Sequence, residues 1–357
     1  MSLDLPGRAA RVPKLDDDAR NLARSLLAEQ MSPPGSLGRL GEHAGWLAAA
    51  QGRCPTARLV RVRLVVVAAD HGVADASVSA YSASVTAERV RALVAGGGIV
   101  STLAELEQVG VHVVDVGLDV ADRQLPAAVD RRAVRRGSGR VDVEDALTRA
   151  EVEAAFESGV AVADAEVDAG TDLLVAAAVG VAASTPAATL AALLTSKHVA
   201  SVVGRDSGID DRTWMRKCAA VRDAARRGRR VLRDGGDMLD LLATVGGADL
   251  AALTGLLLQS AVRRTPVVVD GLVTCAAAAV AQRISRRSTA WLVAGHRSPD
   301  PGQAALLQRL RLDPVVDHAI GADDGTGALL AVAHLRAAAA LLGAEPSPAS
   351  PPGDHEA

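Results

Sequence analysis

Apolar runs alternate with amphipathic stretches along most of the chain. Apolar segments without polar alternation are typical of strands buried on both faces of a parallel sheet. They lie at Val62–Ala68, Val111–Val116, Leu173–Val179, Ser201–Val203, Pro266–Val269 and Trp291–Val293. Helical periodicity follows near residues 86–108, 149–168, 186–196, 213–229, 248–263, 271–284, 301–310 and 327–342. The alternation predicts an α/β fold with a doubly wound, mainly parallel sheet and flanking helices.

The two chain ends have a different pattern. We expect residues 1–15 to form a loose arm, and the aspartates at 16–18 to cap a helix that ends at Ser32–Ser36. A second amphipathic helix follows through Trp46. We therefore expect 1–50 to contribute an arm and helices to a small helical domain, which a C-terminal helix at 326–342 completes. Residues 51–325 then form an α/β nucleotide-binding domain, and the Pro-rich tail at 343–357 is predicted to be disordered.

Polar or glycine-bearing turns follow each of the six predicted strands, and a seventh precedes the last predicted helix. In an open α/β sheet, ligands collect at the carboxyl ends of the strands, and glycine amides or helix N-termini there can hold an anion. Several such turns on one sheet edge predict a ligand site. They are Asp70-His71-Gly72, Asp115-Val116-Gly117, Gly180–Pro186, Gly204–Gly208, Asp270-Gly271, His296-Arg297-Ser298 and Asp323–Gly327.

Composition narrows the function classes. Of the 357 residues 49% are hydrophobic and 1% aromatic, and the formal net charge is −3, so the chain offers neither a basic stripe nor a base-stacking platform for nucleic acid. Three cysteines without a CxxC pair do not indicate a disulfide framework or zinc site. No apolar segment reaches the roughly 18 residues of a membrane helix. We expect a cytoplasmic protein with no nucleic-acid or membrane partner.

For several motifs the residues alone allow two interpretations, one structural and one functional. Gly96-Gly97-Gly98 falls inside a helical pattern, where glycine permits close packing or contacts a ligand. Ser184-Thr185-Pro186 opens a helix, so its hydroxyls are either caps or phosphate ligands. Lys217, one of only three lysines, either reaches back to an anion at the Gly204 turn or is a solvated cation.

The roles of the histidines and of the paired carboxylates are also undecided from the sequence. His71 fits an orienting hydrogen bond or simple packing in the turn better than a metal site, because no second His or Cys stands at ligand spacing. His296 and Ser298 fit either a site contact or a turn. Asp323 and Asp324 precede Gly-Thr-Gly, where they either cap the last helix or supply a general base.

Taken together, these motifs resemble the nicotinate-nucleotide:dimethylbenzimidazole phosphoribosyltransferase family, which makes α-ribazole 5′-phosphate for the lower ligand of cobalamin. The resemblance extends from about Pro33 to Leu342. Its carriers are PPGSLGRL at 33–40, ADHGVAD at 69–75, VSAYSASVT at 78–86, VDVG at 114–117, STPAA at 184–188, GIDD at 208–211, RK at 216–217, VGGADLAALTG at 245–255, TPVVVDG at 265–271, GHRSPDPG at 295–302 and DGTGA at 324–328.

This resemblance implies a homodimeric pentosyltransferase that moves ribose 5-phosphate from nicotinate mononucleotide to 5,6-dimethylbenzimidazole without a metal or other cofactor. The aromatic base would lie near Ser79–Arg89, and Asp324 would be the general base. The expected base contacts are Tyr81 and Arg89. The phosphate would lie among Gly180, Ser184, Thr185, Gly204, Ser207, Gly208 and Lys217, and Asp270 and Ser298 would line the nucleotide side.

The chain departs from the family pattern at the expected site. Asp324 replaces a glutamate, and Asp323 stands where the family has glycine. Ala178 and Ala183 replace a glutamate and an asparagine, and Asp206 replaces a glycine where a carboxylate would repel phosphate. These differences leave two alternatives: a weakly active or non-catalytic relative that binds nucleotide or base and regulates the pathway, and a phosphoribosyltransferase with another acceptor base.

Overall fold

A computed structural model describes residues 3–30, 33, 35–120 and 125–343. In these ranges six strands form one parallel sheet, which confirms the predicted fold class. The strands are β1 (Val62–Ala69), β2 (Gly110–Gly117), β3 (Asp130–Arg131), β4 (Leu173–Val179), β5 (Val267–Val269) and β6 (Leu292–Ala294). All but the first residue of the predicted tail, and part of the helix end predicted at Ser32–Ser36, lie outside the described residues.

Helices alternate with these strands along the chain, and further helices lie before β1 and after β6 in the sequence. Caps define several of them: Asp16 accepts from Ala19 N, and Thr148 and Glu151 form a capping box. The helices are α1 (Leu5–Arg11), α2 (Asp17–Gln30), α3 (Gly38–Gln51), α4 (Ser84–Val94), α5 (Gly98–Leu106), α6 (Arg149–Asp168), α7 (Ser184–Thr195), α8 (Asp211–Arg233), α9 (Met238–Val245), α10 (Ala248–Val262), α11 (Gly271–Ile284), α12 (Pro301–Leu310) and α13 (Thr326–Leu341).

The order of the strands in space is β3-β2-β1-β4-β5-β6. The chain therefore winds outward in one direction from β1 and in the other direction from β4. In doubly wound sheets the crevice for ligands lies outside the carboxyl ends of the two strands where the direction reverses. Here those strands are β1 and β4, which are almost fully buried.

Three local predictions were wrong. Ser201–Val203 is not a strand, because β4 pairs directly with β5 and Ser201 is the last residue of a short 3-10 turn at Val199–Ser201. The helical pattern at 86–108 is broken at the glycine triplet, where Gly96 and Gly98 have φ of 76° and 86°. The expected loose arm contains α1, whose N-terminus is capped by the Asp4 side chain.

Two glycines set the close packing of α6 against α10. A Cβ added to Gly159 would stand 1.8 Å from the carbonyl oxygen of Ala252. A Cβ added to Gly255 would stand 2.1 Å from the carbonyl oxygen of Phe156. The two backbones therefore touch where neither helix carries a side chain.

The described residues group into two compact units. One consists of the residues up to Lys14 together with Val60–Val332, and it contains the whole sheet. The other consists of Leu15–Leu59 and the described residues from Ala333 onward. In the latter, His43 Nδ1 lies 2.8 Å from His334 Nε2, and burial lowers the pKa of His43 to about 4. The domain boundaries at 50, 325 and 342 remain predictions.

No helix in the described part of the chain has both the length and the apolar character needed to cross a membrane.

Candidate active site

A cavity of about 420 Å³ lies at the carboxyl end of β4, on the reversal point of the sheet. Its walls come from the last residues of β4 and the loop after it, the loop between β1 and α4, α4 and the start of α5, the loop at 204–208, the start of α11 and the loop before α13. A second cavity of about 430 Å³ adjoins it. Both lie in the unit that holds the sheet and share Ser184, Asp206, Gly321 and Asp323 as lining residues. Such volumes are typical of small-molecule sites.

The loop after β4 is held against β1 by its backbone. A Cβ on Gly180 would stand 2.4 Å from the carbonyl oxygen of Ala69, so only glycine permits this approach. The amide of Val181 donates to Thr86 Oγ1 at 3.0 Å, and Thr86 is fully buried. Sequence reasoning did not single out Thr86, because a threonine inside a helical pattern has no visible partner 95 residues away.

One wall of the first cavity is aromatic and cationic. The Arg89 guanidinium lies 5.0 Å from the centre of the Tyr81 ring, a cation–π distance, and both residues line the cavity. Ile99 also lines it and is 72% exposed, an unusual fraction for such a side chain. The glycine triplet presents Ile99 here by ending α4 and starting α5, a role that the helical interpretation missed.

Lys217 lies below the surface near Ser184 and Asp206, two of the residues that line both cavities. Only 1% of its side chain is exposed, and its Nζ donates to Ser184 Oγ at 2.9 Å and, more weakly, to the carbonyl of Gly204 at 3.5 Å. Its third partner is the carboxylate of Asp206, in an ion pair. The predicted neighbourhood of Lys217 and Ser184 is thus present, but a carboxylate stands where the resemblance places a phosphate.

The hydroxyls of Ser184 and Thr185 do not cap α7. The residue before the helix is Ala183, which makes no side-chain cap. Ser184 Oγ is therefore available to Lys217, whereas Thr185 is fully buried, lines neither cavity and has a hydroxyl with no hydrogen-bond partner among the described residues.

The Gly204–Gly208 loop is placed by close packing and short tethers. Gly204 lies so near Asp300 that a Cβ there would stand 2.1 Å from Asp300 Oδ2. Ser207 lines the first cavity and its Oγ accepts from the amide of Ala80 at 3.2 Å. Gly208 lines neither cavity, but its φ of 72° turns the loop towards α8.

Ser298 and Asp300 border the second cavity. Ser298 Oγ accepts from the amide of Asp300, and Asp300 Oδ1 accepts from Gly302 N and Gln303 N at the start of α12. Asp300 Oδ2 is buried without a hydrogen-bond partner among the described residues. Burial raises the pKa of Asp300 to about 6, against the opposing attraction of the Lys217 ammonium.

The loop before α13 presents two carboxylates to the first cavity. Asp324 Oδ1 accepts from Thr326 N at 3.1 Å and from Thr326 Oγ1 at 2.7 Å, so it caps α13. Asp323 Oδ1 accepts from Leu272 N, and the Asp323 carbonyl accepts from Ala178 N, which ties the loop to β4. Burial, and then the nearby Asp270 carboxylate, raise the pKa of Asp323 well above its ordinary value.

Asp270 lines neither cavity, in contrast to the expectation that it lines the nucleotide side. It is fully buried, its Oδ1 lies 2.6 Å from His296 Nδ1, and its Oδ2 accepts from Gly325 N at 2.9 Å. His296 Nε2 donates to the carbonyl of Ile320. Burial raises the pKa of Asp270; burial opposes the charged form of His296 too, but the Asp270 carboxylate outweighs it and raises the pKa of His296. The pair therefore anchors both ends of the loop that carries Asp323 and Asp324.

His71 makes an orienting hydrogen bond. Its Nε2 lies 3.0 Å from Asp249 Oδ2, and both side chains are 1% exposed. The contact joins the end of β1 to the start of α10. Among the described residues, no group of three or more His, Cys, Asp or Glu side chains is arranged to hold a metal ion.

Comparisons with known proteins agree with this architecture. A family model described as phosphoribosyltransferase matches residues 12–348. A nicotinate-nucleotide–dimethylbenzimidazole phosphoribosyltransferase of Streptomyces avermitilis is 51% identical over 341 residues, which cover 95% of this chain and 90% of that protein. One of Mycobacterium marinum is 46% identical over 324 residues, covering 91% and 89%. A crystal structure of the enzyme of that name from Thermus thermophilus matches with a TM-score of 0.86 and 35% identity over 93% of this chain and 97% of that chain.

Proposed function

The chain belongs to the phosphoribosyltransferase family, and we propose that it transfers ribose 5-phosphate from nicotinate mononucleotide to 5,6-dimethylbenzimidazole, giving α-ribazole 5′-phosphate and nicotinate. One observation carries the proposal. A single cavity at the reversal point of the sheet combines an aromatic and apolar wall, a carboxylate pair, and the serine that holds the buried Lys217.

One side of the cavity suits the aromatic rings of the donor and the acceptor, and the other side suits the phosphate of the donor. Tyr81, Arg89 and Ile99 offer a flat apolar and cationic surface to an aromatic ring. The amides after Gly180, at the start of α7, and Lys217 offer positive potential to a phosphate. The ribose would then lie between them, beside the loop that carries Asp323 and Asp324.

The reaction needs little from the protein besides position and one base. The bond from the anomeric carbon to nicotinate breaks easily, because the ring leaves from a cationic pyridinium state. One benzimidazole nitrogen forms the new carbon–nitrogen bond, and the proton on its other nitrogen passes to a carboxylate. Attack from the face opposite the leaving ring converts a β-nucleotide into an α-riboside. Holding both rings in line supplies most of the acceleration.

We assign the base to Asp324. Its Oδ1 is fixed by Thr326, which leaves Oδ2 without a hydrogen-bond partner among the described residues, and the residue lines the cavity. Aspartate is shorter than the family's glutamate by about 1.5 Å. Asp323 is the competing candidate, because it lines the same cavity and burial raises its pKa, which suits proton transfer.

Purified protein incubated with nicotinate mononucleotide and dimethylbenzimidazole should yield α-ribazole 5′-phosphate, identified by mass. Asp324→Asn keeps the acceptor for Thr326 and should lower kcat by about 100-fold or more, as expected for loss of a general base. Asp323→Asn serves as the matched control and should lower kcat by less than about tenfold. The reverse ranking would move the base to Asp323, and absence of product from folded wild-type protein would refute the proposed reaction.

The acceptor and the assembly belong to the same proposal. Competing dimethylbenzimidazole against other azoles and phenols in one tube should leave α-ribazole 5′-phosphate as the main product. We expect the protein to act as a cytoplasmic homodimer, and sedimentation equilibrium of the purified chain should give twice the mass of 36.4 kDa.

A further inference from the structure

The ammonium group of Lys217 has no free proton to offer a ligand. An ammonium has three donors, and in this structure they face Ser184 Oγ, the Gly204 carbonyl and the Asp206 carboxylate. With 1% of the side chain exposed, a phosphate can reach Nζ only if one of these partners leaves.

Asp206 is the partner that can leave. Ser184 is fixed in the first turn of α7 and the Gly204 carbonyl belongs to backbone packed against Asp300. The Asp206 side chain, by contrast, is 31% exposed, and Lys217 is its only hydrogen-bond partner among the described residues. It also lines both cavities, so it stands between the lysine and the space that a ligand would occupy.

A carboxylate in this place imitates the anion that the site would bind. It is attached by one strong charge-assisted contact to the same lysine, and a phosphate would make the same contact with more oxygens. The two anions cannot share the ammonium without repelling each other at short range. Asp300, which approaches the same lysine from the start of α12, adds to that repulsion when it is ionised.

We propose that the Asp206 carboxylate is an internal anion that occupies Lys217 until the phosphate of the donor displaces it, and that this exchange sets the affinity of the site for phosphate monoesters. The identity of the donor rests on the proposed function; the exchange itself does not. The Gly204–Gly208 loop swings Asp206 outward as phosphate enters, turning about Gly208, whose φ of 72° is a conformation that glycine enters and leaves readily.

The exchange is tested by titrating inorganic phosphate into the full-length protein in a calorimeter at fixed ionic strength. Asp206→Asn removes the competing charge and should bind phosphate about tenfold tighter or more than wild type, the ratio that corresponds to about 1.4 kcal/mol. Asp211→Asn is the matched control. It removes an exposed carboxylate from the same segment, one that pairs with Arg205, and should change the affinity by less than about twofold.

Each outcome decides. Equal or weaker phosphate binding by Asp206→Asn overturns the proposal, and so does equal tightening by the control, which would indicate a general charge effect. Asp206→Gly provides a second variant if the asparagine protein melts early. With a competent enzyme, the KM for nicotinate mononucleotide should fall in Asp206→Asn by the same factor while binding of nicotinate riboside, which lacks the phosphate, stays unchanged. Tighter phosphate binding without any turnover would keep the internal anion and refute the proposed reaction.

Discussion

The buried carboxyl of Asp300 should make the stability of the protein depend on pH in a defined window. Its pKa is raised from 3.8 to about 6, mainly by burial. Asp300→Asn keeps the oxygen that accepts from Gly302 and Gln303 at the start of α12 and replaces the other carboxyl oxygen with an amide NH2 group, which does not ionise.

The direction in which stability changes with pH follows from the direction of the pKa change of Asp300. Between pH 3.8 and about 6 the folded protein keeps a proton on Asp300 that the unfolded chain has already lost. The native state therefore binds more protons, and its stability falls as the pH rises through the folded pKa. The full difference is about 3 kcal/mol, at about 1.36 kcal/mol per tenfold change, and the residue is 8% exposed, so solvent screening reduces it little.

The measurement is urea unfolding of both proteins at several values from about pH 4 to pH 8. The free energy of unfolding of the asparagine variant, minus that of wild type, should grow by about 2.4 kcal/mol across the series, because about 0.6 kcal/mol of the full difference has already been lost at pH 4. Subtraction removes the constant cost of placing an amide beside Gly204 and the titration of groups common to both proteins. Asp317→Asn removes an exposed carboxylate paired with Arg297 and serves as the control. The free energy of unfolding of this variant, minus that of wild type, should change by less than about 1 kcal/mol across the same pH series. A flat difference for Asp300→Asn would show that Lys217 compensates the burial fully, and the reasoning would fail.

Two further substitutions test the packing and the loop. Gly159→Ala places a methyl group where the Ala252 carbonyl stands, so α6 and α10 must separate; we expect a loss of about 3 kcal/mol by urea unfolding, and an unchanged midpoint would contradict the close contact. Thr86→Val leaves the Val181 amide buried without an acceptor, which should cost about 1–3 kcal/mol and raise the KM for the donor. Thr86→Ser keeps the hydroxyl and should restore both values. If it does not, the hydrogen bond to Val181 is not the cause of the loss.

The sheet was predictable because its strands are unbroken apolar runs. Five of the six predicted runs form strands, and the carboxyl-end turns meet at one edge as expected for parallel strands. The failures have local causes. β3 has two residues, Asp130 and Arg131, and no apolar signal at all. Val202 and Val203 gave a false strand signal: both are buried in the core, but neither pairs with a strand.

The site was predictable as a set of loops but not as a set of contacts. Tyr81 and Arg89 lie together on one wall, and Ser184 meets Lys217. The sequence could not indicate that Asp270 turns away from the cavity to His296, because that pairing depends on the approach of two strand ends.

Gly271 is a second residue whose role the sequence could not indicate. It stands after a strand, where the motif suggested an anion-binding turn. In the structure a Cβ at this position would stand 1.7 Å from Asp323 Oδ1, so its glycine makes room for a carboxylate of the protein itself. Which anion a glycine turn accommodates is decided by residues far away in the chain.

The scarcity of lysine gives the site a built-in reporter. Of the three lysines, Lys14 and Lys197 are exposed, whereas Lys217 is shielded. Reagents that acylate amines should therefore modify the first two long before the third. Peptide mapping after such labelling isolates one ε-amino group among 357 residues, and the rate at which that group acquires label records how often its covering side chain swings aside.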